Sequence, residues 1–238
     1  MINFRAIERH PFVEAVTLFG SRARGDSDEF SDMDLAVFVK ATHFMALGEI
    51  KSRLMNIPSD EEFSLSLYST RTAEILAREG SLFLWHLNLE GKVLFERNKW
   101  ISLLFSRLAP YELSKALRDL KTFENILNDV NAALGLGDST LLFEAATMYA
   151  VLRNSAMIHT YTKGAPCFGR SEPIKRLAQD MGQGFPFTSS EIRTLQLLRL
   201  TYTRIPSLCT EYLSSEWCKA MLRNVQIATS FVRERLYA

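Results

Sequence analysis

Four residues in the first forty could do chemistry together. In the segment LFGSRARGDSDEFSDMDLAVFV, residues 18 to 39, Gly20-Ser21 is followed after ten residues by Asp32-Met33-Asp34. A glycine without a Cβ lets other groups approach the backbone closely, so the N–H groups around Gly20 and the Ser21 hydroxyl can cradle a phosphate. Asp32 and Asp34 are two apart, and on a strand such residues project to one face. Two adjacent carboxylates repel unless a cation sits between them, and hard oxygen donors beside phosphate favour Mg²⁺ or Mn²⁺. Arg22 and Arg24, in the intervening stretch, are candidates to meet phosphate charge. The combination predicts a site for a metal-bound nucleoside triphosphate, of the kind used in metal-assisted phosphoryl transfer.

These residues need strands to position them. Residues 13–19, 33–39, 63–69 and 92–96 are short, β-branched or aromatic-rich runs bounded by Gly, Ser or Asp, and each is expected to be a strand. Between them, residues 43–57 and 72–89 carry apolar residues three and four apart, with Pro58 and Gly91 as stops, and read as helical. The first 98 residues are therefore expected to be an α/β (α+β) domain with a small mixed sheet.

The remainder, residues 99–238, reads as an all-α bundle. Leu113, Leu117, Leu120, Phe123, Leu127, Val130 and Leu134 keep helical spacing until the GLGD turn at 135–138. Asp138 is placed to cap a second helix over 140–162, and Pro173 suits the first turn of a third. Ser190 is placed to cap a fourth helix, and a last amphipathic helix is expected over 211–236. The boundary near 97–101 has no Pro/Gly/Ser linker, so the two domains are expected to pack closely.

The pattern GS, ten residues, DxD and an apolar strand resembles the signature of the DNA polymerase β-like nucleotidyltransferase superfamily, in particular its minimal nucleotidyltransferase branch. The resemblance spans residues 1–98. It implies a small sheet with helices on one side, Mg²⁺, an NTP donor with ATP foremost, and transfer of a nucleoside monophosphate to an acceptor hydroxyl on a protein, RNA end or small molecule. It further implies phosphate binding by Gly20 and Ser21 and metal binding by Asp32 and Asp34. Relatives commonly add a third carboxylate from a neighbouring strand, and here that position falls on Ser64 or Ser66. A serine hydroxyl has no pKa near neutrality with which to act as a base. Glu62 is in phase with both serines and is the candidate substitute as catalytic carboxylate. Without one, the same fold would serve as an impaired nucleotide-binding regulator or an antitoxin-like protein acting on a partner protein.

In the helical part, LRNSAMIHTY (152–161) resembles the Arg-Asn…His-x-Tyr motif of HEPN domains, which accompany minimal nucleotidyltransferases and can be ribonucleases. The counterparts are Arg153, Asn154, His159 and Tyr161. Six helical steps rotate about 600°, which leaves Arg153 and His159 about 120° apart. The competing expectation is that both are structural. Similar bundles in antibiotic nucleotidyltransferases wall the cleft and hold the acceptor.

Net charge is +1, with 47% hydrophobic and 23% charged residues, which fits a folded globular chain and excludes a nucleic-acid-coating polycation. Cys167, Cys209 and Cys218 are odd in number and lack CxxC spacing, against a disulfide framework or zinc site. The start MINFRAIERHPF lacks a signal-peptide pattern and no run suits a membrane span, so cytoplasmic residence is expected.

Overall fold

A computed structural model describes residues 7, 10–27, 31–40, 44–56, 63–136, 140–204 and 213–237. The chain separates into two compact units, Met1–Glu112 and Leu113–Ala238.

The first unit is built on a four-stranded sheet of β1 (Val13–Phe19), β2 (Met33–Val39), β3 (Phe63–Ser69) and β4 (Lys92–Glu96), in the order β3-β2-β1-β4. β1 runs antiparallel to β2 and β4, and β2 runs parallel to β3, so the sheet is mixed. Around it lie α1 (Gly20–Arg24), α2 (Phe44–Met55), α3 (Thr70–Arg78), α4 (Leu82–Glu90) and α5 (Trp100–Ser106).

Helices cover both faces of the sheet, which corrects the expectation of helices on one side. Leu35, Val37 and Val39 pack with Ile50 and Leu54 of α2. Ala36 and Phe38, alternating with them, pack with Ala73 and Ala77 of α3, Leu84 and Leu87 of α4, and Ile101 and Leu104 of α5. A central strand apolar on both sides must bury both, so one layer of helix cannot suffice. A register shift between Val13 and Ala15 puts Val13 and Val16 on one face although they are three apart, as a bulge does.

The helical run expected over 72–89 is two helices. Gly80 lies between them at φ +66°, and a Cβ there would strike the backbone of Pro110. Ser69 caps α3 by accepting from the Thr72 N–H at 3.0 Å, and Ser81 caps α4.

The second unit contains α6 (Leu113–Leu136), α7 (Leu141–Thr162), α8 (Glu172–Met181), α9 (Ser189–Thr203) and α10 (Ser215–Arg235). α7 is buried around most of its circumference because α6, α8, α9 and α10 all pack on it. Pro173 lies in the first turn of α8 as expected. Thr188, not Ser190, caps α9, because its side chain and Glu191 close a reciprocal capping box that Ser190 has no matching acid to form. Asp138 and residues 211–212 lie outside the described residues. Among the described residues, no helix is long and apolar enough to cross a membrane.

Candidate active site

The site begins where β1 ends. Phe19 pairs with Asp34 across the sheet, and the chain then turns at Gly20 with φ +73° into the single-turn helix α1. A Cβ at residue 20 would collide with Oδ2 of Asp34, so glycine is required both for the backbone conformation and for the carboxylate lying over it. α1 closes on Gly25, whose N–H donates to the Ser21 carbonyl at 2.8 Å.

On the other side of β2, Asp34 stands in parallel register with Ser64, which donates its hydroxyl to Asp34 Oδ1 at 2.7 Å. Ser66 is paired one pleat further on with Ala36. Of the two serines, Ser64 is therefore the one beside the carboxylate. Asp32 immediately precedes β2 and is half-buried, with its Oδ1 shut off from solvent. Glu62 lies outside the described residues.

The two arginines are engaged in holding this turn. Arg22 donates through Nε and Nη2 to the Ser31 carbonyl at 3.4 and 3.3 Å, and so ties α1 to the residue before Asp32. Arg24 pairs with Glu90 of α4 at 3.0 Å and with Asp26 at 3.2 Å. His86, buried on α4, has Nε2 3.4 Å from the same Glu90 oxygen and meets Phe19 edge-on with ring centres 5.5 Å apart. Sequence reasoning missed Glu90 and His86. Their i,i+4 spacing on a helix was the available signal, but nothing local connects them to Arg24, 66 residues from Glu90.

Asp32 and Asp34 are both half-buried, and Asp34 lies against the glycine turn. Residues 5–100 match the family model Polymerase beta, Nucleotidyltransferase. The matched segment includes β1 to β4 and Gly20, Ser21, Asp32, Asp34 and Ser64. Among solved structures, the chain is similar to a toxin–antitoxin with AMP-PNP, at 22% identity over 50% of this chain and 87% of that one, with a TM-score of 0.29. It is also similar to spectinomycin adenyltransferase AAD(9) from Enterococcus faecialis with ATP and spectinomycin, at 13% identity over 99% and 97% of the two chains and a TM-score of 0.47. A nucleotidyltransferase-like protein from Exiguobacterium sibiricum 255-15 matches at 13% identity over 99% and 76%, with a TM-score of 0.37. No curated protein matches the chain.

In the helical unit, Arg153 and His159 are held by separate partners. Arg153 donates to the carbonyls of Gly169 at 3.1 Å and Phe168 at 2.6 Å, and Tyr149, one turn earlier, donates to the Arg170 carbonyl at 2.8 Å. Together they pin the loop before α8 onto α7. His159 is 2% exposed, with Nε2 2.8 Å from Asp180 Oδ2 on α8. Asn154 and Tyr161 are half-buried on the same helix.

Cys167 and Cys218 are buried, and burial pushes the Cys218 thiol up to about 11, an inert side chain. Cys209 lies outside the described residues.

Proposed function

We propose that the chain is a Mg²⁺- or Mn²⁺-dependent nucleotidyltransferase. It takes an NTP, ATP foremost, and transfers the nucleoside monophosphate to an acceptor hydroxyl on a protein, an RNA end or a small molecule, releasing pyrophosphate. One observation carries the reading: the Asp34 carboxylate lies directly over Gly20, so the phosphate-cradling turn and the acidic strand form a single site.

The donor set suits Mg²⁺. The ion is usually held by one or two carboxylates, water and substrate phosphates rather than by a cage of protein ligands. Asp32 and Asp34 supply that number. Among the described residues no group of three or more His, Cys, Asp or Glu side chains is gathered for a metal. When bound, the cation neutralises the triphosphate and stabilises the departing pyrophosphate. The backbone N–H groups at Gly20 and Ser21, with the Ser21 hydroxyl, hold phosphate oxygens. Arg22 fixes the approach to Asp32 through Ser31, and Arg24 fixes α1 through Glu90, while both leave positive charge beside the phosphates. Glu62 is the proposed acceptor of the attacking hydroxyl's proton.

Labelled NTPs offered with Mg²⁺ or Mn²⁺ to a cell lysate and the purified protein test this directly. Transfer is expected with the wild type and none with Asp32→Asn/Asp34→Asn. Transfer that survives the double substitution refutes the assignment.

A second reading is favoured by Ser64 occupying the register position beside Asp34. With no base there, the domain would bind Mg·ATP and act as a regulator of a partner protein without completing transfer. Calorimetric binding of Mg·ATP with no pyrophosphate release, whatever acceptor is offered, separates it from the enzyme.

A further inference from the structure

We propose that Ser64 is a positioning residue that locks the Asp34 carboxylate in its cation-holding orientation. The inference rests on the reading of Asp34 as a metal-holding group and specifies how this chain keeps that group in place.

A surface aspartate has two free torsions, and its terminal one is broad, so a carboxylate held at a single point swings through many orientations. Asp34 has a contact on each of its oxygens. Its Oδ2 lies over the Cα of Gly20, in the space a Cβ would fill. Its Oδ1 accepts the Ser64 hydroxyl at 2.7 Å, within the range of charge-assisted O–H···O⁻ bonds. Two contacts on the two oxygens fix the plane of the group.

The sheet makes this contact reproducible. β2 and β3 pair in continuous parallel register from Met33–Phe63 to Val39–Ser69, so Ser64 cannot slip away from Asp34 without shifting every pair. The same face carries Phe38 stacked on Tyr68, centres 5.9 Å apart, which anchors the register four residues beyond the site. Ser66, on that face beside Ala36, has no carboxylate as its register partner.

A neutral hydroxyl at this place has a different consequence from a third carboxylate. It donates one hydrogen bond to Asp34 and adds no negative charge, so it orders the ligand without strengthening the repulsion between Asp32 and Asp34. Partners that orient metal ligands typically change affinity ten- to a hundredfold when removed.

The test compares Ser64→Thr with Ser64→Val, two β-branched side chains of nearly equal shape that differ in the hydroxyl and suit a strand. Ser66→Val serves as a control one pleat away, and Asp34→Asn as the reference loss. Mn²⁺ binding is measured by electron paramagnetic resonance with ATP whose α,β bridge is methylene, which makes the readout independent of turnover. Ser64→Thr is expected to stay within about twofold of wild type and Ser64→Val to weaken Mn²⁺ binding by about tenfold. Equal affinity for the Thr and Val variants, with Asp34→Asn clearly impaired, overturns the positioning role. If Asp34→Asn itself binds as wild type, the functional reading fails first. Loss in Ser66→Val equal to that in Ser64→Val also overturns the proposal, because the effect would then belong to the strand.

Discussion

The two units hold their candidate chemical groups in opposite ways. In the α/β unit, Gly20, Asp34 and Ser64 come from three separate elements and meet at one carboxylate. In the helical unit, Arg153 and His159 share one helix, yet Arg153 is bound to the loop carbonyls of Phe168 and Gly169 and His159 to Asp180. The difference lies in the geometry of the supports. A hydrogen-bonded ladder fixes both the face and the cross-strand neighbour of every residue. A helix fixes only an angle, and six steps leave two side chains about 120° apart. Residues aligned by a sheet converge; residues spaced along a helix do so only when the spacing matches the turn.

The largest test of this contrast is Gly20→Ala. A methyl there both strains a φ of +73° and displaces the Asp34 carboxylate. Misplacing a binding group by that much is expected to lower Mg·ATP affinity by about a hundredfold, measured by calorimetry. Gly25→Ala sharpens the result. Its φ is +85° but no atom stands near the added Cβ, so it is expected to cost only the backbone strain of about 1–2 kcal/mol and little affinity.

In the helical unit, Arg153→Ala removes both bonds to the loop and is expected to cost about 2 kcal/mol of stability, read from urea unfolding, while leaving Mg·ATP binding unchanged. Metal-independent RNA cleavage by the wild type, abolished in this variant, would break the contrast.

A smaller effect is expected from Glu90→Gln. It weakens the tie between Arg24 and α4, a pair about one-fifth exposed, and should lower stability by about 1 kcal/mol with a modest loss of nucleotide affinity.

The smallest effect concerns acid. The hydrogen bond from His159, and then the positive charges of Lys163 and Arg235, hold the Asp180 carboxyl below its ordinary value of 3.8. A carboxyl with a depressed folded value contributes stability that is fully present above 3.8 and is lost as the pH falls through the folded value. Melting temperatures taken from pH 5 down to pH 2 should therefore fall more steeply for the wild type than for Asp180→Asn.

Much of this was readable from residue order. The four strands lie where alternation and Gly/Ser/Asp boundaries put them, because their apolar patterns are strong and local. The single turn of α1 and the seven residues of α5 are too short to show periodicity, and the break at Gly80 depends on the backbone of Pro110 packing over it. Gly20, Ser21, Asp32 and Asp34 were visible because one turn, one strand and the residue before that strand supply them all. Ser64 was visible only as a departure from the family pattern. That it donates to Asp34 follows from parallel pairing of β2 with β3, which no local pattern specifies. Glu90 and His86 were invisible for the same reason, since tertiary packing alone brings α4 to α1.

The central claim is that Gly20, Asp32 and Asp34 form one cation-dependent nucleotide site. Calorimetry of ATP binding with Mg²⁺ and with EDTA, for wild type and Asp32→Asn/Asp34→Asn, tests it most directly. The account predicts binding by the wild type that EDTA abolishes, and a loss in the variant of about a hundredfold or more. Binding of equal strength in both proteins, or binding indifferent to EDTA, would contradict it.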